Sequence, residues 1–170
     1  MKGLVLTIGA VAAALSLSFG LSSASASSSS AASGTKVAVA NSKLGRILVD
    51  GRGRTLYLFA RDRNGRSACS GSCAAYWPPL LTAGKPRAGA GAKASLLGTT
   101  RRSDGRLQVT YRHHPLYTYV GDSGKGQTSG QGLNLSGGLW WVLSPAGNKI
   151  TTGAASMSSG SGYGGYGYGS

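Results

Sequence analysis

The run Leu56-Tyr57-Leu58-Phe59-Ala60-Arg61-Asp62 returns about sixty residues later as Leu116-Tyr117-Thr118-Tyr119-Val120-Gly121-Asp122. An aromatic strand closed by an aspartate is therefore used twice. Val49 and Arg52 precede the first copy at the offsets at which Val109 and Arg112 precede the second, and each copy continues through Gly and Ser to a tryptophan. A duplicated unit of this size cannot bury its apolar face alone, so the two copies are expected to pack on each other.

Around this pair the chain divides by composition. Met1-Lys2, the apolar run Leu4 to Phe19 and the small-residue pattern Ala24-Ser25-Ala26 read as a secretory signal peptide over residues 1–26, cleaved after Ala26. The apolar run is shorter than the roughly 20 residues a membrane span needs, and no later segment is a better candidate, so no transmembrane span is expected. Residues 27–35 form a Ser/Ala leader, 36–150 the domain, and 151–170 a tail of Gly, Ser and Tyr that lacks the aliphatic content for a core. Within the domain, repeat one covers about 44–81 and repeat two about 104–145.

Local turn chemistry gives the fold class. Val37 to Ala40, Arg46 to Val49 and Thr55 to Ala60 are short β-rich runs separated by Asn41-Ser42-Lys43 and Asp50-Gly51-Arg52-Gly53. Leu96 to Thr100, Leu107 to Tyr111 and Leu116 to Val120 repeat the pattern around Ser103-Asp104-Gly105-Arg106 and Arg112-His113-His114-Pro115, and Trp140 to Leu143 supplies a last strand. Cys69 to Tyr76 suits a helical turn ending before Trp77-Pro78-Pro79, because a residue preceding proline disfavours helical torsions. The expectation is an all-β fold, a small barrel or sandwich of two tandem β-repeats with a short helical turn near the cysteines. Tyr57 and Phe59 share one strand face, as do Tyr117 and Tyr119, and both pairs are expected near a pseudo-twofold axis with Trp77 and Trp140 or Trp141 closing the core.

Of the 18 Lys and Arg residues only Lys2 lies in the signal; with four Asp and no Glu retained, the mature formal charge is +13. Such a field attracts polyanions and weakens with salt. Export makes nucleic acid an unsuitable target. Phosphate-rich wall polymers, anionic head groups or acidic polysaccharide fit better, with Arg52, Arg54, Arg61, Arg63, Arg66, Arg101 and Arg102 as the contacts.

The residue inventory restricts chemistry. Cys69 and Cys73, the only cysteines of an exported chain, are spaced for a disulfide across a turn. A redox pair or thiolate metal site is the alternative, although His113 and His114 on one strand would point to opposite faces. Asp50 and Asp104 each precede Gly in a turn, which leaves Asp62 and Asp122 as the pair a two-carboxylate hydrolase would need; acceptance of turn amides explains them as well. Gly121-Asp122-Ser123-Gly124 matches a protease tetrad only superficially, for no histidine-bearing segment precedes it at a suitable distance. Gly124-Lys125 fails as a phosphate loop, since Gly126 replaces the required Ser or Thr. The series Gly121, Gly124, Gly126, Gly130 and Gly132 reads as a long surface loop.

Tyr57-x-Phe59-x-x-Asp62, Cys69-Ser-Gly-Ser-Cys73, Trp77-Pro78-Pro79-Leu80, His114-Pro115-Leu116-Tyr117-x-Tyr119-x-x-Asp122 and Gly130-Gln131-Gly132 together resemble the bacterial secreted repeat of unknown function, a family also described as predicted lipoproteins. The resemblance spans roughly Val37 to Pro145. It implies a small exported or envelope-attached protein without an established activity. Lipid anchoring, common in the family, would need a cysteine at the cleavage point, and none lies there.

Two functions follow as expectations. One is a non-enzymatic, secreted or wall-associated protein, without cofactor, that binds an anionic wall or extracellular polymer. The other is a redox or metal-handling module using Cys69 and Cys73.

Overall fold

A computed structural model describes residues 34–153; the expected signal peptide, most of the leader and the tail beyond Gly153 lie outside them. The described residues are mostly strand, in three small sheets packed in a sandwich-like way, with one short α-helix and no closed barrel among them. β1 (Lys36–Ser42) and β2 (Gly45–Asp50) form a hairpin, with Val37 opposite Asp50 and Ser42 opposite Gly45. β3 (Tyr57–Phe59) carries the first aromatic pair, and α1 (Ser72–Tyr76) follows the cysteines, stopping before Trp77. β4 (Arg87–Ala88) adds parallel to β1. β5 (Leu97–Arg101) and β6 (Leu107–Tyr111) form the second hairpin, to which β7 (His114–Pro115) adds. β8 (Asn134–Leu135) and β9 (Gly138–Val142) complete the chain.

The repeats exchange their closing strands. β9 of repeat two pairs with β3 of repeat one, Phe59 opposite Trp140 and Tyr57 opposite Val142. Reciprocally, repeat one's Pro79 bridges Tyr117 of repeat two, Thr118 N–H donates to Pro78 O at 2.9 Å, and Leu80 N–H donates to Leu116 O at 2.8 Å. Between them Tyr57 and Tyr117 exchange both backbone hydrogen bonds, at 2.9 and 3.0 Å. A residue paired in this way with its own repeat equivalent places the local pseudo-twofold axis between the two.

Two details differ from the sequence expectation. Leu116 to Val120 is not one regular strand; Thr118 donates to Pro78 O, and the ladder is interrupted there because Pro78 has no N–H to return. The hairpins are also out of step by one residue. Leu56 N–H donates to Leu48 O and Leu116 N–H to Val109 O, while Leu48 and Val109 donate to Leu143 O and Leu80 O. The structural counterpart of Val109 is therefore Leu48, not Val49, and the connection from β2 to β3 has one residue more than that from β6 to β7.

Both faces of the repeated strand are buried, each in its own cluster. Leu56, Leu58 and Leu116 join Val37, Leu48, Val109, Tyr111 and Leu143 on one side. Tyr57, Phe59 and Tyr117 join Ile47, Val49, Trp77, Trp140 and Val142 on the other. Four rings stack through that second cluster in the order Phe59, Trp140, Trp77, Tyr119. Their centroid separations are 4.1, 3.9 and 4.3 Å, and the two indoles are inclined by only 2°. Tyr57 meets Trp77 edge-on at 5.3 Å and Tyr117 meets Trp140 edge-on at 5.1 Å. The arrangement keeps the pseudo-twofold, and each contact of this kind adds about 0.5–1.5 kcal/mol beyond burial of its area. Trp141 packs instead against the aliphatic cluster, under the Lys149 ammonium.

Candidate functional site

The repeat-motif side chains are joined across the axis. Tyr57 donates to Asp122 Oδ2 at 2.7 Å, and Tyr117 lies 3.0 Å from Asp62 Oδ2. Each aspartate also caps its own turn: Ala68 N–H donates to Asp62 and Ser129 N–H to Asp122, both at 2.8 Å. This is the turn-amide role, extended by a tyrosine from the other repeat. Burial pushes the Tyr57 and Tyr117 hydroxyls above their usual range, with the facing carboxylates adding to it. Burial likewise raises Asp62 to about 6, against the opposing effect of the Ala68 amide, Tyr117 and Arg102. Tyr119 is half-buried and Phe59 fully buried within the ring stack, so all six motif residues hold the two halves together.

The Gly130-Gln131-Gly132 segment departs from its surface-loop reading. All three residues are buried. A side chain at Gly130 would stand 2.7 Å from the Trp77 ring and 3.0 Å from Tyr57, so only glycine lets the backbone approach the stack. Gln131 accepts from Val142 N–H at 2.9 Å and donates to Ile150 O at 2.7 Å, tying the closing strand to the end of the domain. Ser123, from the rejected tetrad, lies against Gln127 within its own loop.

Cys69 and Cys73 form a disulfide, with Cα atoms 5.3 Å apart and Cys69 fully buried. His113 does not share a strand with His114: Arg112 and His113, both at positive φ, make the turn between β6 and β7, and His114 alone enters the strand. Burial, then Arg112 and His113, hold His114 below its usual range. Among the described residues no three His, Cys, Asp or Glu side chains are grouped to hold a metal ion.

The cationic residues divide. Arg52, Arg54, Arg61, Arg63, Arg66 and Arg101 are exposed, Arg54 being paired with Asp50 at 2.8 Å. Arg102 corrects the expectation of a surface contact: it is 7% exposed. Its guanidinium donates to Ser67 Oγ at 2.8 Å, Gln108 Oε1 at 2.6 Å and Cys69 O at 2.6 Å. It thereby clamps the second hairpin to the cysteine loop of repeat one. Sequence had no local signal for this, since all three acceptors lie on other turns or strands. Arg66, Ser67, Thr100, Arg101, Arg102 and Ser103 line a cavity of about 420 Å³. A second, of about 430 Å³, is lined by Asp62, Arg63, His114, Trp141 and Lys149 among others.

The aspartates leave little negative charge at the surface. Asp50 accepts from the Arg52 and Arg54 amides and the Arg54 side chain, and Asp104 pairs with Arg106 at 2.7 Å. Asp62 and Asp122 are engaged as described. The resulting surface is one of arginines without acidic neighbours to spare.

A family profile described as a secreted repeat of unknown function matches residues 38–81 and 98–144, one match for each structural repeat. No curated protein and no solved structure matches the chain. No helix among the described residues is long and apolar enough to cross a membrane.

Proposed function

The chain belongs to the family of secreted repeats of unknown function, and from its extracellular location we propose that it is a non-enzymatic envelope protein held by its arginine surface to an anionic wall or matrix polymer. The observation that carries this reading is the fate of the four aspartates. Each is engaged by tyrosines, turn amides or a neighbouring arginine, which leaves Arg52, Arg61, Arg63, Arg66 and Arg101 facing solvent with the charge unbalanced. A mature charge of +13 with this distribution attracts a polyanion over distances set by the Debye length, about 8–10 Å near physiological salt.

The repeat motif itself supports a scaffold role. Its tyrosines and aspartates are spent on each other, and the disulfide closes a loop of only four residues' separation beside the ring stack. Cys69 is packed as core within the aromatic cluster, which supports a covalent brace over a redox couple.

The test is retention of the secreted protein on purified cell wall as salt is raised. Binding should fall steeply between low and high ionic strength, and replacing Arg52, Arg61 and Arg63 together by Gln should weaken it at least tenfold. Absence of binding, or binding indifferent to salt, overturns the reading.

A further inference from the structure

We infer that the cavity between the cysteine loop and the turn joining β5 and β6 is a subsite for one tetrahedral oxyanion, a phosphate group carried by the polymer. The inference rests on the polymer reading for the source of that phosphate.

Its floor is Arg102. A guanidinium has five N–H donors in a fixed fork. Three are committed, to Ser67, Gln108 and Cys69. Nε–H is buried and has no hydrogen-bond partner. The nearest carboxylate oxygen, Asp104 Oδ2, is 3.6 Å away, beyond hydrogen-bond length, and is drawn off by Arg106 at 2.7 Å. With three bonds made, Nη2 retains a second N–H on the same group. An unmatched donor on a buried cation is costly, and an anion that supplies the missing acceptor recovers that cost.

The walls suit the same ligand. Arg66 and Arg101 are exposed and border the cavity, and Thr100 and Ser103 line it beside them, while the Ser67 hydroxyl is already spent on Cys69 O and Tyr117. Three guanidinium groups on one cavity, set against the single Asp104 carboxylate that stands 3.6 Å from Arg102 Nε and is shared with Arg106, match the charge and acceptor count of a phosphate better than those of a carboxylate or a neutral sugar. The three fixed bonds also orient the Arg102 fork before any ligand arrives, so little side-chain entropy remains to be lost on binding.

The mature secreted protein, labelled with ¹⁵N, tests this directly. The Arg102 Nε–H resonance should shift saturably on titration with inorganic phosphate, and sodium chloride at matched ionic strength should leave it in place. Arg66→Gln and Arg101→Gln, both at exposed positions, should each weaken phosphate at least threefold, and together abolish saturation while the Arg102 resonance persists as a marker of the intact fold. The same double variant should bind poly(glycerol phosphate) at least tenfold more weakly than the parent. A resonance unmoved by phosphate, or moved equally by chloride, overturns the subsite; wall binding that persists in that case leaves the diffuse-charge reading standing. Saturable phosphate binding in a protein that ignores wall and polymer alike keeps a small-oxyanion site but overturns the polymer as its source.

Discussion

The phenolic oxygen of Tyr57 donates to the carboxylate of Asp122, a residue of the other repeat, at 2.7 Å, and accepts the Gly130 N–H at 3.2 Å. The equivalent pair, Tyr117 and Asp62, is crossed in the opposite sense. The motif that recurs in the sequence is thus half of a bond whose other half lies in the other copy.

Removing the Tyr57 hydroxyl strands two groups at once. Tyr57→Phe should cost about 1–3 kcal/mol, the usual cost of leaving buried polar groups unpaired. Tyr117→Phe should cost a similar amount, and because the two phenols belong to one interface, the double variant should depart from additivity. Urea unfolding of the four proteins measures this; full additivity would show that the two bonds are independent.

Asp62 gives the fold a pH dependence with a definite sign. Its folded value of about 6 lies above the ordinary 3.8, so between those limits the native state binds more protons than the unfolded one. The contribution is fully present below pH 3.8 and is lost as pH rises through about 6. The loss is at most about 3 kcal/mol for a shift of this size. Stability of the wild type minus that of Asp62→Asn should therefore decline from pH 4 to pH 6.5, a difference from which the oppositely directed effect of His114 cancels. A flat or rising difference would contradict the assigned environment.

Gly130→Ala presses a methyl into the rings of Trp77 and Tyr57. Overpacking of a filled core costs about 1–3 kcal/mol, and here it should also disturb the near-ultraviolet circular dichroism of the stacked indoles. Gly45, whose added methyl would meet nothing, offers the control for packing, although its own positive φ penalises alanine locally.

His113 sits at φ 66° in a two-residue hairpin turn, a conformation that costs a residue with a Cβ roughly 1 kcal/mol. His113→Gly should raise stability by about 0.5–1 kcal/mol, reduced by the extra freedom glycine gives the unfolded chain. Thermal unfolding at pH 7.5 would register the gain, and a loss would mean that the imidazole makes a contribution its exposed position does not suggest.

The features legible in the sequence are those written in local pattern. Tyr57, Phe59, Tyr117 and Tyr119 announce two equivalent faces by alternation alone, Cys69 and Cys73 announce a staple by spacing, and the hairpin turns follow from Asp-Gly and the residues around Pro115. Hidden features depend on which distant segment arrives. Nothing near Pro79 indicates that it pairs with Tyr117 and not with its own repeat, and nothing near Arg102 indicates that Cys69 O and Gln108 will enclose it. Gly130 shows the same limit: a glycine between polar neighbours reads as loop, and only the arrival of Trp77 over it reveals the need for absent bulk.

Because each repeat's last strand completes the other repeat's sheet, the connecting segment near Ala90 and Gly91 is not what keeps the halves in company. A protease that cuts there outside the cell would yield two peptides still clasped, co-eluting as one particle until denaturant is added. For a molecule exposed to a hostile exterior, a severed backbone need not mean a broken body.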